Sequence, residues 1–206
     1  MNKKLIIGIS GVATSGKDTC CKLLIESLYE KFGITASRIA LADQLKVEIR
    51  DELISKFGID VLNCTPQEKE TIRPSLVAYG KLLRESSEGT HWTSVVQKKL
   101  ESMTETVIIV PDIRYNHYLN DEVKWIHQNN GLLLHVARYS RGENGEKLWV
   151  MPPNEDERIH DPLVRADADF SLSWETLDFA ALKSQYGGFF DTIASVASYE
   201  YANLNR

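Results

Sequence analysis

Cysteine is scarce in this chain. Cys20 and Cys21 are adjacent and Cys64 stands alone. Three cysteines rule out a disulfide framework, and neither a Cys-x-x-Cys pair nor a Cys/His zinc spacing appears, which suits a reducing cytoplasm. Long apolar runs are missing as well. None approaches the roughly 20 residues that span a bilayer. Met1-Asn2-Lys3-Lys4 followed by Leu5-Ile6-Ile7-Gly8-Ile9 imitates a signal peptide, but its apolar run is too short. Positive charge is not in excess, because 24 Lys+Arg stand against 29 Asp+Glu, a net −5. That is a poor balance for coating nucleic acid, whose phosphates are held by excess Lys/Arg. Local sites for small phosphates stay open. His91, His117, His127, His135 and His160 show no metal-ligand spacing. His135 falls in a buried strand and is expected to be a hydrogen-bonded core residue. Repeats and low-complexity tracts are absent.

What is present is ordinary globular usage, 43% hydrophobic and 26% charged over 206 residues, which predicts one domain. Residues 4–10 read as a fully buried strand, 11–16 as a turn, and Lys17–Phe32 as a helix stopped by Gly33. Ile39–Ala42 reads as a second strand. Asp43 reads as the N-cap of a helix through Leu45, Ile49, Leu53 and Phe57. Residues 58–72 look polar and irregular. Helical patterns cover 73–87 and 91–102. Val107–Val110 reads as a strand ended by Pro111-Asp112, 118–129 as a helix closed by Asn130-Gly131, and Leu132–Ala137 as a strand. Residues 138–162 carry glycines, prolines and charges with little periodicity, and are expected to form a structureless insert, either a functional lid or disorder. Phe170–Leu172 reads as a last strand, with closing helices over Thr176–Gln185 and Phe189–Ala202. Strands alternating with helices predict a three-layer α/β fold with a mostly parallel sheet.

The most informative segment is Gly11-Val12-Ala13-Thr14-Ser15-Gly16-Lys17-Asp18-Thr19, set between a buried strand and a helix. Glycines let the backbone aim its N–H groups at a phosphate, and the helix N-terminus adds a positive dipole end. Lys17 can reach the terminal phosphates as a point charge. Asp18 stands where the strict motif has Ser or Thr, and Thr19 follows it. Asp112 ends a buried strand at the edge where open α/β sheets bind ligands, with Arg114 two residues on. Such a carboxylate holds Mg2+ through water, accepts from a substrate, or merely caps a helix.

Five segments in order resemble the bacteriophage-type deoxynucleoside monophosphate kinases of the P-loop class. They are Ser10–Thr19; Leu41-Ala42-Asp43-x-Leu45-Lys46; Arg73-x-x-Leu76-x-x-x-Gly80 with Trp92; Val110-Pro111-Asp112-x-Arg114; and Gly131-x-x-x-His135-Val136-x-Arg138. The resemblance implies a single three-layer P-loop NTPase domain over residues 1–206, with helices on both faces of the sheet and the lid insert at 138–162. It implies transfer of the γ-phosphoryl of ATP to a deoxynucleoside monophosphate, with Mg2+. ATP would be held by Gly11, Ala13, Thr14, Ser15, Gly16, Lys17, Asp18 and Thr19, with Thr19 also on the metal. The monophosphate would be held by Lys46, Arg73, Gly80, Trp92, Asp112 and Arg114. Lys17, Asp18 and Arg138 would be catalytic. Asp18 positions either the acceptor phosphate or a metal-bound water. Arg138 and Arg141 open the insert and are expected to close over the phosphates, the alternative being a solvated charged loop.

Pro74, Lys81, Tyr118 and Trp174 depart from the family pattern, mostly on the substrate side. The rival readings are another small P-loop kinase, for phosphomevalonate or a ribonucleotide, and a nucleotide sensor without turnover. The expected partners are small nucleotides, not nucleic acid or membrane. The closing helix, with Phe189, Phe190, Ile193, Val196 and Tyr199, is either core or a homodimer face. The expected compartment is the cytoplasm, the host's for a phage-encoded chain.

Overall fold

Leu5-Ile6-Ile7-Gly8-Ile9-Ser10 can be satisfied only by burial on both faces, and this strand, β1, is buried at every residue. The computed structural model describes residues 3–206. After β1 (Leu5–Ser10) come α1 (Lys17–Phe32), β2 (Ala36–Arg38), α2 (Leu41–Phe57), α3 (Pro66–Ser86) and α4 (Thr90–Leu100). The chain continues through β3 (Val107–Ile113), α5 (Glu122–Gln128), β4 (Leu132–Arg141), β5 (Lys147–Trp149), α6 (Glu155–Ala166), β6 (Phe170–Glu175) and α7 (Phe179–Leu204). Among the described residues these strands form one six-stranded sheet. Its parallel part runs β2-β3-β1-β4, with β6 on the far edge of β4. Tyr139 of β4 pairs with Glu175 of β6 on one side and Trp149 of β5 on the other, so antiparallel β5 lies on the β1 edge, beyond the end of β1. Gly8 pairs with Val110 but Ser10 with Ile113, which leaves Ile9 opposite both Pro111 and Asp112. This bulge accommodates a proline that cannot donate to a ladder.

Alternation along β1 divides the core. Leu5, Ile7 and Ile9 pack with Leu23, Leu24 and Leu28 of α1 and with Phe190, Ile193, Ala194 and Ala197 of α7. Ile6, Ile108, Val110 and Leu133 face Trp92, Val96 and Leu100 of α4, Val123 and Ile126 of α5, and Val164 of α6. The result is an α/β arrangement with helices around a mostly parallel sheet. A smaller cluster, Ile49, Leu53, Ile59, Val61 and Ile72, ties α2 to α3. Among the described residues no helix is long and apolar enough to cross a membrane.

β1 and α1 form as the sequence predicts, with Gly33 left-handed at φ 63 as the C-cap of α1. Elsewhere long-range contacts move the boundaries. The second strand is Ala36–Arg38, not Ile39–Ala42, and α2 starts at Leu41 with Asp43 inside its first turn. The reason lies on β3, where the Asp112 carboxylate accepts from the N–H groups of Leu41 (3.0 Å) and Ala42 (2.7 Å). α3 begins at Pro66, inside the segment expected to be irregular. Thr65 and Glu68 form a reciprocal capping box there, with Pro66 in the first turn. α5 is shorter than expected, starting at Glu122.

The closing helix is one element, continuous through Gly187 and Gly188. Two helical glycines cost about 2 kcal/mol. Burying Phe190 and Ile193 completely returns roughly 1.5–3 kcal/mol each. Those two side chains are therefore core rather than a dimer face, while Tyr199 is exposed. The segment 138–162 is not structureless. β4 runs on to Arg141, a turn at 142–146 returns the chain as β5, and Asn154 caps α6 by accepting from the Glu157 N–H at 2.9 Å.

Candidate functional site

The loop after β1 has a backbone that side chains restrict. Gly11, Thr14 and Gly16 have φ of 134, 62 and 96. A Cβ on Gly11 would lie 2.2 Å from the carbonyl oxygen of Val136 on β4, and one on Gly16 would lie 2.5 Å from the Trp174 ring. Trp174 donates from Nε1 to the Ser15 carbonyl at 2.8 Å, so β6 clamps the loop. Ser15 is fully buried and its Oγ has no partner. The first intrahelical bond of α1 runs from Cys20 N–H to the Gly16 carbonyl. The amides before it lie ahead of the helical ladder and face the loop, as a helix N-terminus dictates.

Cations gather at this end of the sheet. Lys17 folds back and donates to the carbonyls of Gly11 (2.7 Å) and Val12 (2.8 Å). Burial, then the nearby Arg114 charge, lower its pKa to about 8. Arg114 donates from Nη1 to Glu157 Oε1 at 2.7 Å, and Ala13 N–H donates to Glu157 Oε2 at 2.7 Å. Glu157 comes from α6, which lies over the loop. Beneath, Glu122 is buried and accepts from the N–H groups of Arg114 (2.6 Å) and Tyr115 (3.2 Å). Burial pushes its pKa up to about 8. Arg138 lies on the same face of β4 as Leu134 and Val136 by alternation, opposite Trp174 in register. Its Nε is buried without a partner. His135 meets its expectation, nearly buried with Nε2 3.1 Å from Asp161 Oδ1.

On the α2 side, Arg38 donates to Asp18 (3.2 Å) and Asp43 (2.7 Å), and Lys46 donates to Asp43 (2.8 Å). Burial tends to raise the Asp43 pKa, but the bonds from Lys46 and Arg38 outweigh it and lower it. Burial raises the pKa of Asp112 despite its two backbone donors. Asp112 therefore acts here as the cap of α2.

The substrate-side residues named from sequence are brought together only in part. Lys46, Asp112 and Arg114 lie around the loop end of the sheet. Arg73 is on an exposed face of α3, paired with Glu70 of its own helix. Trp92 is buried in the core and donates from Nε1 to the Gly80 carbonyl at 3.1 Å, so it presents no free ring face. Gly80 allows α3 to approach α2, since a Cβ there would lie 2.5 Å from Leu45 Cδ1. Sequence reasoning missed Arg38 and Glu157. Arg38 carries no local signal, but the Asn154-x-x-Glu157 spacing signals a helix start that would have placed Glu157 in the first turn of α6.

Among the described residues no group of three or more His, Cys, Asp or Glu side chains gathers as a metal site. Mg2+ beside phosphates needs only one or two protein oxygens. Asp18, whose side chain is 81% exposed, and the Thr19 hydroxyl supply hard oxygens in the first turn of α1, so the donor set fits.

No family model matches the sequence, and no curated protein does. A solved structure described as "Molecular and structural characterization of the PezAT chromosomal toxin-antitoxin system of the human pathogen Streptococcus pneumoniae" is similar over 99% of this chain and 88% of that chain. Its identity is 11% and its TM-score 0.37, too distant a likeness to say what this chain does.

Proposed function

We propose that this chain is a P-loop nucleotide kinase that moves the γ-phosphoryl of ATP to a deoxynucleoside monophosphate, giving ADP and the diphosphate. The 11–16 loop carries the reading: left-handed at Gly11, Thr14 and Gly16, between a fully buried parallel strand and a helix N-terminus, with Lys17 folded against it. Phosphoryl transfer asks little covalent chemistry of a protein. It asks for in-line positioning and for neutralisation of the moving charge. The Ala13 N–H and the first amides of α1 hold the terminal phosphates of ATP. The Lys17 ammonium swings from the carbonyls of Gly11 and Val12 to the β and γ phosphates. Arg114 and Arg138 meet charge on the transferred group, and Arg38 with Lys46 lies toward the acceptor. Thr19 or Asp18 would hold Mg2+, which would supply charge neutralisation to the bound phosphates.

A second reading, nucleotide binding without turnover, is favoured by one observation. Arg73 and Trp92, two residues an acceptor site was expected to use, lie on an exposed helix face and in the core. ADP release from ATP and Mg2+ with dAMP, dCMP, dGMP or dTMP added separately tests both readings, with ribonucleotide and phosphomevalonate arms. The expected result is release that depends on one or more deoxynucleoside monophosphates. ATP binding without acceptor-dependent release overturns the kinase reading in favour of the second.

A further inference from the structure

The donors that make the loop an anion site already hold an anion of the chain's own. Glu157 spends both carboxylate oxygens there, Oε2 on the Ala13 N–H and Oε1 on Arg114, each at 2.7 Å. A carboxylate and a phosphate offer the same pair of acceptor oxygens to a guanidinium and an amide. Glu157 is 8% exposed, in the first turn of α6. Next to it, Asp156 accepts from the Tyr115 hydroxyl at 2.6 Å. One turn later Asp161 meets His135 at 3.1 Å. Farther on, Asn116 donates to the Leu163 carbonyl at 3.3 Å. The half-open cleft between Gly11, Arg114, Glu157 and His160 has a volume of ≈ 10 Å³. That is room for about one water and not for a phosphate group.

We propose that Glu157 is an internal ligand of the phosphate loop, and that a nucleoside triphosphate binds by displacing it, with α6 shifting away from Ala13 and Arg114. The inference rests on the loop being a phosphate site, as proposed above. Two anions cannot share the Ala13 N–H, so occupancy by Glu157 lowers apparent affinity by the fraction of time the site is open. A triphosphate, with its greater charge beside Lys17 and Arg114, overcomes that competition. Inorganic phosphate, with fewer contacts to offer, does not. Glu157 thereby acts as a threshold that favours polyphosphate ligands over the abundant small anion.

Calorimetric titration of the full chain with ATP, tripolyphosphate and inorganic phosphate tests this, comparing wild type, Glu157→Gln and Glu155→Gln. Glu155 is on the same helix but pairs with Arg158 in solvent, so its variant controls for net charge. Glu157→Gln is expected to bind tripolyphosphate about tenfold tighter and to bind inorganic phosphate measurably, with Glu155→Gln unchanged. Hydrogen exchange over 155–166 is expected to rise when wild type is saturated with ATP, and to be raised in Glu157→Gln before any ligand is added. Equal affinities in wild type and Glu157→Gln, with unchanged exchange, overturn the internal ligand and leave the phosphate loop standing. Weaker binding in Glu157→Gln also overturns it, because Glu157 would then assist binding. No binding of any phosphate by folded wild type or variant overturns both the phosphate loop and the inference built on it.

Discussion

The loop after β1 and the helix pair α3–α4 are held by different forces. The loop is fixed through its backbone: left-handed residues, a Cβ clearance at Gly11 limited by the Val136 carbonyl, and a Trp174 clamp on Ser15. The helices are fixed through side chains: Trp92 on the Gly80 carbonyl joins α4 to α3, and the buried Arg84–Asp121 pair at 2.6 Å, beside the rings of Tyr115 and Tyr118, ties α3 to the start of α5. The lesson is that the loop tolerates almost no change of shape but can lose a charge without collapsing. In the helix pair, surface charges are dispensable and buried contacts are not.

The sharpest separation of charge from shape comes from Lys17→Ala. Turnover should fall by 10²–10³-fold, about 3–4 kcal/mol of transition-state stabilisation. The melting temperature should hold or rise, because the ammonium is held at a lowered pKa by burial. A folded variant with near-normal turnover would remove Lys17 from the phosphate site.

Next in size is the glycine comparison. Gly11→Ala places a methyl 2.2 Å from a backbone oxygen at φ 134, and should destabilise by about 2–4 kcal/mol. Gly187→Ala, in α7 with nothing within 4 Å of the new methyl, should instead stabilise by about 0.5–1 kcal/mol. Urea midpoints for the two variants check both signs. Equal shifts would mean that the loop is not shape-limited.

The arginines carry the comparison to the other region. Arg114→Ala should lower kcat/KM by about tenfold, the loss of one charge-assisted contact to the transferred group. Arg73→Ala should change it by less than twofold, since its present partner is only Glu70 on an exposed surface. A large Arg73 effect would show that α3 moves onto the site during the reaction.

How far each region could be read before folding follows the same division. β1, the 11–16 loop and α1 were legible because their signals are local: an apolar run, glycines at fixed offsets and a glycine stop. The start of α2 was not, because its cap, Asp112, lies 71 residues away from Leu41. Trp92 read as a base platform because sequence shows an aromatic residue but not the core that covers it. The 138–162 segment read as irregular because its turn and prolines masked a hairpin and a capped helix. Glu157 reaches Ala13 across 144 residues, a pairing with no local trace. Gly187-Gly188 read as a break because propensity was weighed without the burial of Phe190.

The last comparison concerns pH, where Lys17 and Glu122 pull in opposite directions. Lys17 has a folded pKa of about 8 against its ordinary value of 10.5. Between those values the unfolded chain binds the proton that the folded chain has released, so stability rises with pH from about 8 upward. Glu122 has its folded pKa raised to about 8 from 4.5. Between those values the folded chain holds the extra proton, so stability falls as pH climbs from about 4.5 to 8. Together the two groups place a stability minimum near pH 8. Glu122→Gln keeps an acceptor oxygen for the Arg114 and Tyr115 amides and should flatten the acid limb. Lys17→Met should flatten the alkaline limb. ATP affinity should behave differently, weakening above pH 8 as Lys17 loses its charge, with that part of the slope missing in Lys17→Met. Thermal melts and ATP titrations from pH 6 to 10 on wild type and the two variants supply both curves. If the alkaline limb of stability persisted in Lys17→Met, another group would be titrating there, and the burial of Lys17 against the loop would not be its cause.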